Sequence, residues 1–377
     1  MITKIELQNF KSFEELNLEL TNFNIFFGLN GSGKSSVIQS LLLLRQSFLN
    51  NSLQSGKLSI NGNYVKLGLG KDIYFEYAQN EEISFNLSSD KDKFISPFKF
   101  LYRPDTDVLD VKLKNPVDFQ KLIDVTKFSQ ISLFNNNFQY LNAEHIGPKD
   151  LYPISFDEAI NKKNLGISGE YTAQFLDNFR DSKINFSNLK HENTTSDKLL
   201  DQVNGWLSEI SPNTIVDAKK STSTNFALNY KSRTLGKEFS NEVKPINTGF
   251  GITYVLPNIV TILSTEENKL IISENPESHI HPKGQVKMGQ LFSLAAQNNN
   301  QLIVETHSDH FINGVRVAIK NGLIDYKKVK IFFFSRKFEE FKIYSSFIPI
   351  KIDRNGTLNN YPEDFLDQWD KQLLNLI

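Results

Sequence analysis

The sequence contains no cysteine among its 377 residues, which excludes disulfide bonds and thiolate metal sites. No apolar run approaches the roughly 18–20 residues that a membrane-spanning helix needs, and the first residues alternate like a strand rather than a signal peptide. We therefore expect a cytoplasmic protein without a membrane partner. The charges almost cancel, with 42 Lys+Arg against 43 Asp+Glu. A chain that binds nucleic acid by itself usually has a basic surplus, so DNA binding would be confined to one face or shared with a partner.

Residues 28–35 read Gly-Leu-Asn-Gly-Ser-Gly-Lys-Ser, a complete G-x-x-x-x-G-K-S phosphate-binding loop (P-loop). An apolar, β-prone stretch precedes the loop and a helix-prone stretch follows it. Glycines let the backbone curl and direct N–H groups at phosphates, and the helix dipole adds partial positive charge. Lys34 supplies a point charge to the phosphates, and the Ser35 hydroxyl is placed to bind Mg²⁺. The predicted phosphate-binding residues are Gly28, Asn30, Gly31, Ser32, Gly33, Lys34, Ser35 and Ser36. The sequence therefore predicts a nucleoside triphosphate site.

The distribution of apolar residues predicts an α/β protein in three segments. Residues 1–150 alternate as strands around one helix, and residues 151–245 contain helix-like stretches followed by polar strands. Residues 246–377 alternate helices with buried strands, which implies a mostly parallel sheet with covered faces. We predict that the first and last segments form the nucleotide-binding lobe, with an antiparallel β subdomain in the first. The middle segment is predicted to form a smaller, mainly helical lobe.

Two buried strands in the last segment end in ionisable side chains. One ends at Glu274, and a carboxylate at a strand's C-terminal end can hold Mg²⁺ through water beside Ser35, since both would lie at the same sheet edge. The other leads to His307, which can hydrogen-bond the γ-phosphate or the attacking water. Small residues at 247–253 precede a helix and form another anion-binding helix start. Each feature alone is commonly structural, but their order after a P-loop favours one nucleotide site.

This set of motifs resembles the ABC-class ATPase heads of the structural-maintenance-of-chromosomes, RecF and OLD groups. Residues 274–282, Glu-Asn-Pro-Glu-Ser-His-Ile-His-Pro, are similar to the E-x-P-E-x-H-L-H-P element of stand-alone OLD-like and AAA-like ATPases. Further segments that resemble a bacterial subgroup of these ATPases are 140–148, 247–257, 352–356 and 361–365. The likeness covers nearly the whole chain and is most specific at residues 1–45 and 245–315.

The resemblance implies a role for each motif. Lys11 matches a basic residue that approaches the nucleotide from the first hairpin, and His307 matches the switch histidine. Residues 279–282 match the D-loop, and residues 249–253 match the signature element, which contacts the γ-phosphate held by a second protomer. The nucleotide contacts implied in the signature are Gly249, Gly251 and Thr253. Two chains would then sandwich two ATP molecules, so that ATP binding closes a homodimer and hydrolysis releases it.

One position departs from the family pattern. The residue after the Mg²⁺-linked acid is usually a glutamate that activates water, and here it is Asn275, which cannot accept a proton as a carboxylate can. Glu277 could take that role, or His307 could orient the water. The predicted catalytic residues are Glu274, Glu277 and His307. We expect a Mg²⁺-dependent ATPase with slow turnover, in which ATP acts mainly as a conformational clamp.

The resemblance leaves two hypotheses for the biological output. About 70 residues follow His307, too few for the TOPRIM nuclease module of OLD proteins, so we expect a chain without its own effector. In the first hypothesis the chain is the sensor or regulatory ATPase of a bacterial antiphage-defence complex and controls a separate effector, such as a nuclease or toxin. In the second it is a RecF-like DNA-repair or DNA-end-binding ATPase whose main partner is DNA. A membrane-transporter subunit fits poorly, because such subunits normally carry a Leu-Ser-Gly-Gly signature and a catalytic glutamate.

Overall fold

The computed structural model of the protein describes residues 1–90, 95–112, 125–233, 239–360, 362 and 365–366. In these ranges strands β1 to β16 are, in order, Ile2–Phe10, Phe13–Glu19, Phe23–Gly28, Lys57–Ser59, Glu82–Ser89, Ile95–Leu101, Val108–Asp110, Phe138–Leu141, Tyr152–Pro153, Thr214–Lys220, Asn225–Ser232, Leu270–Glu274, Gln301–Glu305, Val329–Phe338, Ile343–Ile352 and Leu358–Asn359. Helices α1 to α8 are Lys34–Leu49, Gly70–Ile73, Val125–Ser129, Thr172–Phe179, Leu199–Ile210, Phe250–Leu263, Pro282–Gln297 and Asp309–Lys320. Shorter 3₁₀ turns are Leu53–Ser55, Ser132–Phe134, Ser187–Leu189, Pro245–Asn247 and Tyr326–Lys328, and a π-helical turn is Asp157–Asn161. Of the tail motif at 361–365, residues Tyr361, Glu363 and Asp364 lie outside the described part.

The chain divides into two compact units, each assembled from separate stretches. The first consists of Met1–Asn135, Val329–Lys351 and Asn359–Ile377, and the second of Asn136–Lys328 and Ile352–Leu358. The C-terminal strands β14 and most of β15 therefore belong with the P-loop segment. The segment boundaries drawn from the sequence at 150 and 245 both fall inside the second unit and stay predictions.

The first unit contains an antiparallel sheet and a mixed sheet. The antiparallel sheet has the order β2-β1-β5-β6, which confirms the predicted antiparallel β subdomain. In the mixed sheet, β3 pairs in parallel with β14, and β14 pairs in antiparallel fashion with β15. Strand β3 is buried almost throughout, which explains its nearly continuous apolar sequence. Phe26 of β3 packs edge to face on Phe332 and Phe334 of β14.

The second unit contains a parallel group of strands and a small antiparallel sheet. Strand β12 pairs in parallel with β13 on one side and β8 on the other. Helices α6, α7 and α8 alternate with these strands along the chain, which confirms the predicted parallel α/β arrangement. The middle segment, 151–245, contributes α4 and α5 together with an antiparallel sheet of order β10-β11-β9. The segment predicted to be mainly helical therefore contains a three-stranded sheet as well as its two helices. None of the described helices has the length and apolarity needed to cross a bilayer.

Lys269 is a buried cation immediately before β12. Its side chain is almost inaccessible to solvent, and burial lowers the pKa of Lys269 to about 8, although Glu266 opposes the shift. The backbone N–H of Lys269 donates to Asn300 Oδ1 at 3.0 Å. Below the folded-state pKa, folding must transfer a charged ammonium group out of water, which costs stability.

We predict that Lys269→Met stabilises the protein in a pH-dependent way. Because the folded pKa lies below the unfolded value of 10.5, the wild-type penalty is full below the folded pKa and disappears as pH rises through the unfolded one. The variant should therefore raise the free energy of unfolding by about 2 kcal/mol near neutral pH. Denaturant unfolding at about pH 7 and about pH 10 measures this difference. Lys244→Met, at an exposed lysine paired with Asp150, is the matched control. A gain that does not shrink at alkaline pH would contradict the assignment.

Candidate nucleotide site

The P-loop curls tightly against β14 within the first unit. Gly28, Gly31 and Gly33 have φ angles of 138°, 71° and 101°, a region that side chains rarely tolerate. A Cβ atom on Gly28 would overlap the carbonyl oxygen of Phe334, and one on Gly33 would lie 2.7 Å from Phe13 Cζ. The glycines are therefore required by the path of the loop as well as by its predicted chemistry.

The start of α1 is arranged to accept an anion. Gly33 caps the helix without a side-chain hydrogen bond, and the first turn of α1, all of it described, contains no acidic residue. The positive end of the helix dipole is thus not neutralised by a nearby carboxylate. Lys34 is buried, and its Nζ donates to the carbonyl oxygens of Gly28 and Leu29 at 2.8 and 2.9 Å. These two hydrogen bonds keep the ammonium group close to the loop backbone. Phosphate oxygens could replace the carbonyl oxygens as its hydrogen-bond acceptors.

The other predicted phosphate-binding residues lie in the same loop and first helical turn. Ser32 is buried, and its Oγ donates to the Leu29 carbonyl oxygen at 2.7 Å. Asn30 and Gly31 are exposed, Ser35 is half-buried and Ser36 is buried. The first unit therefore collects all eight P-loop residues named from the sequence.

Lys11 lies beside the P-loop helix, in the turn between β1 and β2. Its Nζ donates to Gln39 Oε1 of α1 at 2.7 Å, and its backbone N–H donates to the Ile73 carbonyl oxygen at 2.8 Å. Burial lowers the pKa of Lys11, and Asp72 opposes the shift. A cation thus stands next to the second turn of α1.

Glu274 ends β12 in the second unit and is held by β8 and the residues that follow it. The Tyr140 hydroxyl donates to Glu274 Oε1 at 2.8 Å, and His145 Nε2 lies 2.9 Å from the Glu274 carbonyl oxygen. A carbonyl only accepts, so the buried His145 donates through Nε2; burial also lowers the pKa of His145. Burial and, next, the charge of Glu305 raise the pKa of Glu274 to about 7. Sequence reasoning singled out 140–148 as a motif but missed both of these contacts, because no local pattern connects the motif with Glu274.

Asn275 occupies a backbone conformation that suits its side chain. Its φ is 50°, in the left-handed region where asparagine is enriched relative to most residues. The Asn275 N–H donates to the Glu305 carbonyl oxygen at 2.8 Å. The departure from the family's glutamate therefore coincides with a tight turn of the chain.

Glu277 connects the loop after β12 with the residues after β13. Its Oε1 accepts hydrogen bonds from the Thr306 hydroxyl at 2.6 Å and from the His307 N–H at 3.2 Å. Glu277 is buried, and burial raises the pKa of its carboxyl group. The His307 side chain itself is exposed. The geometry makes Glu277 a positioning residue for His307, whereas its direct action on water stays a prediction.

The three residues predicted in the signature have different surroundings at the start of α6. A Cβ atom on Gly249 would meet nothing within 4 Å, whereas one on Gly251 would overlap the carbonyl oxygen of His279. The Thr253 side chain is buried, and its hydroxyl lies 3.3 Å from that of Tyr230 on β11. There is thus free space beside Gly249, whereas the buried Thr253 side chain connects α6 with β11.

A Mg²⁺ ion that arrives with a nucleotide needs few ligands from the protein. Among the described residues, no group of three or more His, Asp or Glu side chains is arranged to hold a metal ion. Mg²⁺ typically takes one or two protein oxygens and completes its shell with phosphates and water. A hydroxyl and a carboxylate, as predicted for Ser35 and Glu274, are ligands of this kind.

Residues 1–312 match the family model described as "AAA ATPase domain". The chain belongs to this family. A second model, described as "Protein of unknown function (DUF3696)", matches residues 324–376. The second match includes β14 and β15, the strands that pack beside the P-loop.

Curated relatives of this AAA ATPase domain protein include a chromosome partition protein and DNA replication and repair proteins. Chromosome partition protein Smc of Methanocaldococcus jannaschii is 30% identical over 169 residues, which are 44% of this chain and 14% of that protein. DNA replication and repair protein RecF of Cytophaga hutchinsonii is 35% identical over 96 residues, which are 25% of this chain and 24% of that protein. The chain thus covers less than a quarter of either relative.

Solved structures with the same fold include Smc head domains. An Smc head bound to the C-winged helix domain of ScpA aligns with a TM-score of 0.55 at 14% identity, over 92% of this chain and 98% of that one. An Smc head with an extended coiled coil, bound to the C-terminal domain of ScpA derived from Pyrococcus furiosus, aligns with a TM-score of 0.51 at 11% identity, over 100% and 99%. These structures confirm the predicted α/β fold. The match to the AAA ATPase domain family, with the similarity to Smc and RecF, confirms the predicted group, an ABC-class P-loop ATPase of the Smc and RecF type.

We predict opposite tolerance of alanine at two glycines of the signature. Gly251→Ala should lower the free energy of unfolding by about 1–3 kcal/mol, because the new methyl group must displace the His279 carbonyl. Gly249→Ala should change it by only about 0.5 kcal/mol, because its Cβ would enter open space. Denaturant unfolding of both variants measures the difference, and equal losses would refute the packing described here.

Proposed function

We propose that this chain binds ATP with Mg²⁺ through its P-loop and hydrolyses it slowly. The observation that carries the proposal is the curled glycine loop with Lys34 held inside it, opening onto a helix start without acidic residues. That arrangement is suited to a triphosphate, because N–H groups, a helix dipole and one ammonium group act on the same anion. Membership of the AAA ATPase domain family supports the same activity.

The residues predicted from the sequence have different roles in the proposed reaction. Lys34 and the loop N–H groups bind the phosphates, and Lys11 adds a second positive charge beside α1. Ser35 and, through water, Glu274 would hold Mg²⁺, which when bound neutralises charge on the phosphates. The order of these motifs along the chain supports their action on one nucleotide. The Tyr140 hydrogen bond keeps the Glu274 carboxylate in one orientation.

Slow hydrolysis follows from the groups available to activate water. The amide of Asn275 does not accept a proton, so the usual general base is missing at that position. We propose that His307 orients the water and that Glu277 holds the His307 backbone in place, as its hydrogen bond to the N–H suggests. Without a strong base, ATP binding rather than turnover dominates the cycle.

The ATP-bound form is proposed to be a homodimer in which each signature contacts the nucleotide of the other copy. The open space at Gly249 supports this arrangement, because it leaves room for a phosphate at the start of α6. ATP would then stabilise the closed dimer by the additional contacts made only in that state.

For the output, we propose a sensor or regulatory subunit of a bacterial antiphage-defence complex, located in the cytoplasm, that controls a separate effector such as a nuclease. A solved Smc head binds a domain of another protein, ScpA, which supports control of a partner protein by such a head. Similarity to RecF supports the second candidate, a DNA-repair or DNA-end-binding ATPase.

We predict that Asn275→Glu accelerates ATP hydrolysis at least about 10-fold by supplying a general base.

Lys34→Ala should remove nucleotide binding altogether, because the charge inside the loop is lost. Lys163→Ala, at an exposed lysine, is the matched control. Phosphate release and binding of a fluorescent ATP analogue measure the two effects. Hydrolysis by the wild type at the Lys34→Ala background rate would reject the enzymatic part of the proposal.

We predict that the tagged chain, isolated from its own cells with Mg²⁺ and ATP, retains a stoichiometric effector protein. Lys34→Ala should lose that protein, because the bound state depends on ATP. Mass spectrometry identifies the retained components. Recovery of a homodimer with DNA alone, together with DNA-stimulated hydrolysis, would instead favour the RecF-like candidate.

A further inference from the structure

Strands β14 and β15 continue past the strand end from which the P-loop departs. Phe334 pairs with Gly28 at the last register position of β3, but β14 continues to Phe338 and β15 begins at Ile343. Four additional residues extend a strand by about 13 Å. We name residues 335–346 the arm.

The base of the arm is anchored to the P-loop and to the first hairpin. Arg336 Nε donates to the Gly31 carbonyl oxygen at 2.7 Å. On the other strand, the Ser345 N–H donates to the Ser12 carbonyl oxygen at 2.7 Å, and the two serine hydroxyls are 2.8 Å apart. The direction of the arm is therefore set by the same loop that is proposed to bind phosphates.

The tip of the arm is apolar and exposed. Phe338 and Phe341 are 73% and 83% exposed, and Ile343 is also exposed. Lys342 keeps the turn in position through an ion pair with Glu14 at 2.7 Å. Several large apolar side chains together at one exposed tip are typical of an interaction surface, whereas single exposed ones are common anywhere.

A second exposed apolar surface lies at the signature, in the second unit. Phe250 is 63% exposed and Ile246 is also exposed, and they flank the open space at Gly249. In the proposed dimer, the signature of one copy faces the P-loop of the other. Because the arm is anchored to that P-loop, its tip would project toward the apolar residues around the facing signature.

We propose that the tip of the arm docks onto Ile246 and Phe250 of a second copy of this chain in the ATP-bound dimer. This inference rests on the proposed dimer and adds to it a contact that the nucleotide does not make. A two-fold axis would create the contact twice in each dimer. Two apolar surfaces that are separately exposed would then become buried in the same step.

The absence of cysteine from the sequence allows a direct test by cross-linking. Full-length Phe341→Cys and Ile246→Cys variants, with tags of different size, are mixed with Mg²⁺ and a non-hydrolysable ATP analogue and treated with a short bis-maleimide. We expect a cross-linked mixed dimer that requires the analogue. Phe156→Cys, at a phenylalanine 66% exposed in the second unit, replaces Ile246→Cys in the matched control and should give little product.

Nucleotide binding and molar mass are measured on the same samples, because these two quantities distinguish a failure of the arm contact from a failure of the dimer or of nucleotide binding. Binding and dimerisation without the 341–246 cross-link, or with no more product than the Phe156→Cys control, would overturn the arm contact and leave the dimer standing. Nucleotide binding without dimerisation would overturn both the arm contact and the proposed dimer. Loss of nucleotide binding itself would overturn the proposed function.

A second measurement tests the energetic role of the tip without any cross-linker. Phe338→Ser combined with Phe341→Ser should weaken ATP-dependent dimerisation at least about 10-fold, since central aromatic residues dominate interface energies. The nucleotide affinity of the monomer should change less than about twofold, because both positions lie at the tip of the arm. Phe156→Ser should leave both quantities unchanged. Dimerisation of wild-type strength in the double variant would overturn the proposal.

Discussion

The close approach of Gly28 to the carbonyl oxygen of Phe334 is the constraint on which the first unit depends. It occurs at the last paired position of β3 and β14, so any side chain there would push the two strands apart. With the strands in contact, the loop folds back far enough for Gly31 to accept a hydrogen bond from Arg336. One steric requirement thus shapes the phosphate loop and sets the direction of the arm beside it.

The second unit depends instead on buried polar contacts. Glu274 and Glu277 each accept a hydrogen bond from a hydroxyl group, of Tyr140 and Thr306 respectively. Not every buried polar atom here is hydrogen-bonded: Glu277 Oε2 and His145 Nδ1 are buried without a hydrogen-bond partner among the described residues. Such groups cost stability and are retained mainly where function requires them. Burial raises the pKa of both carboxyl groups, so a nearby cation would favour their ionised forms.

Two local arrangements near the end of β12 bear on the proposed slow hydrolysis. Asn275 fits a left-handed turn. One carboxylate oxygen of Glu277 accepts hydrogen bonds from the Thr306 hydroxyl and the His307 N–H. The second arrangement holds the backbone of His307 in place. Slow hydrolysis would suit the proposed clamp, in which the closed dimer persists for as long as ATP stays bound. An apolar arm that docks only in the dimer would lengthen that lifetime further.

The sequence by itself determined the P-loop at 28–35, because its glycines, flanking strand and flanking helix are local features. It also placed Glu274 at the end of a buried strand, since a short apolar run followed by acids is readable without knowing its neighbours. Only the tertiary structure decided that Tyr140, 134 positions away, holds Glu274. It likewise decided that Arg336 contacts Gly31 across 305 positions. Such contacts depend on which strands become neighbours, and that choice is made by packing of the whole core rather than by local periodicity.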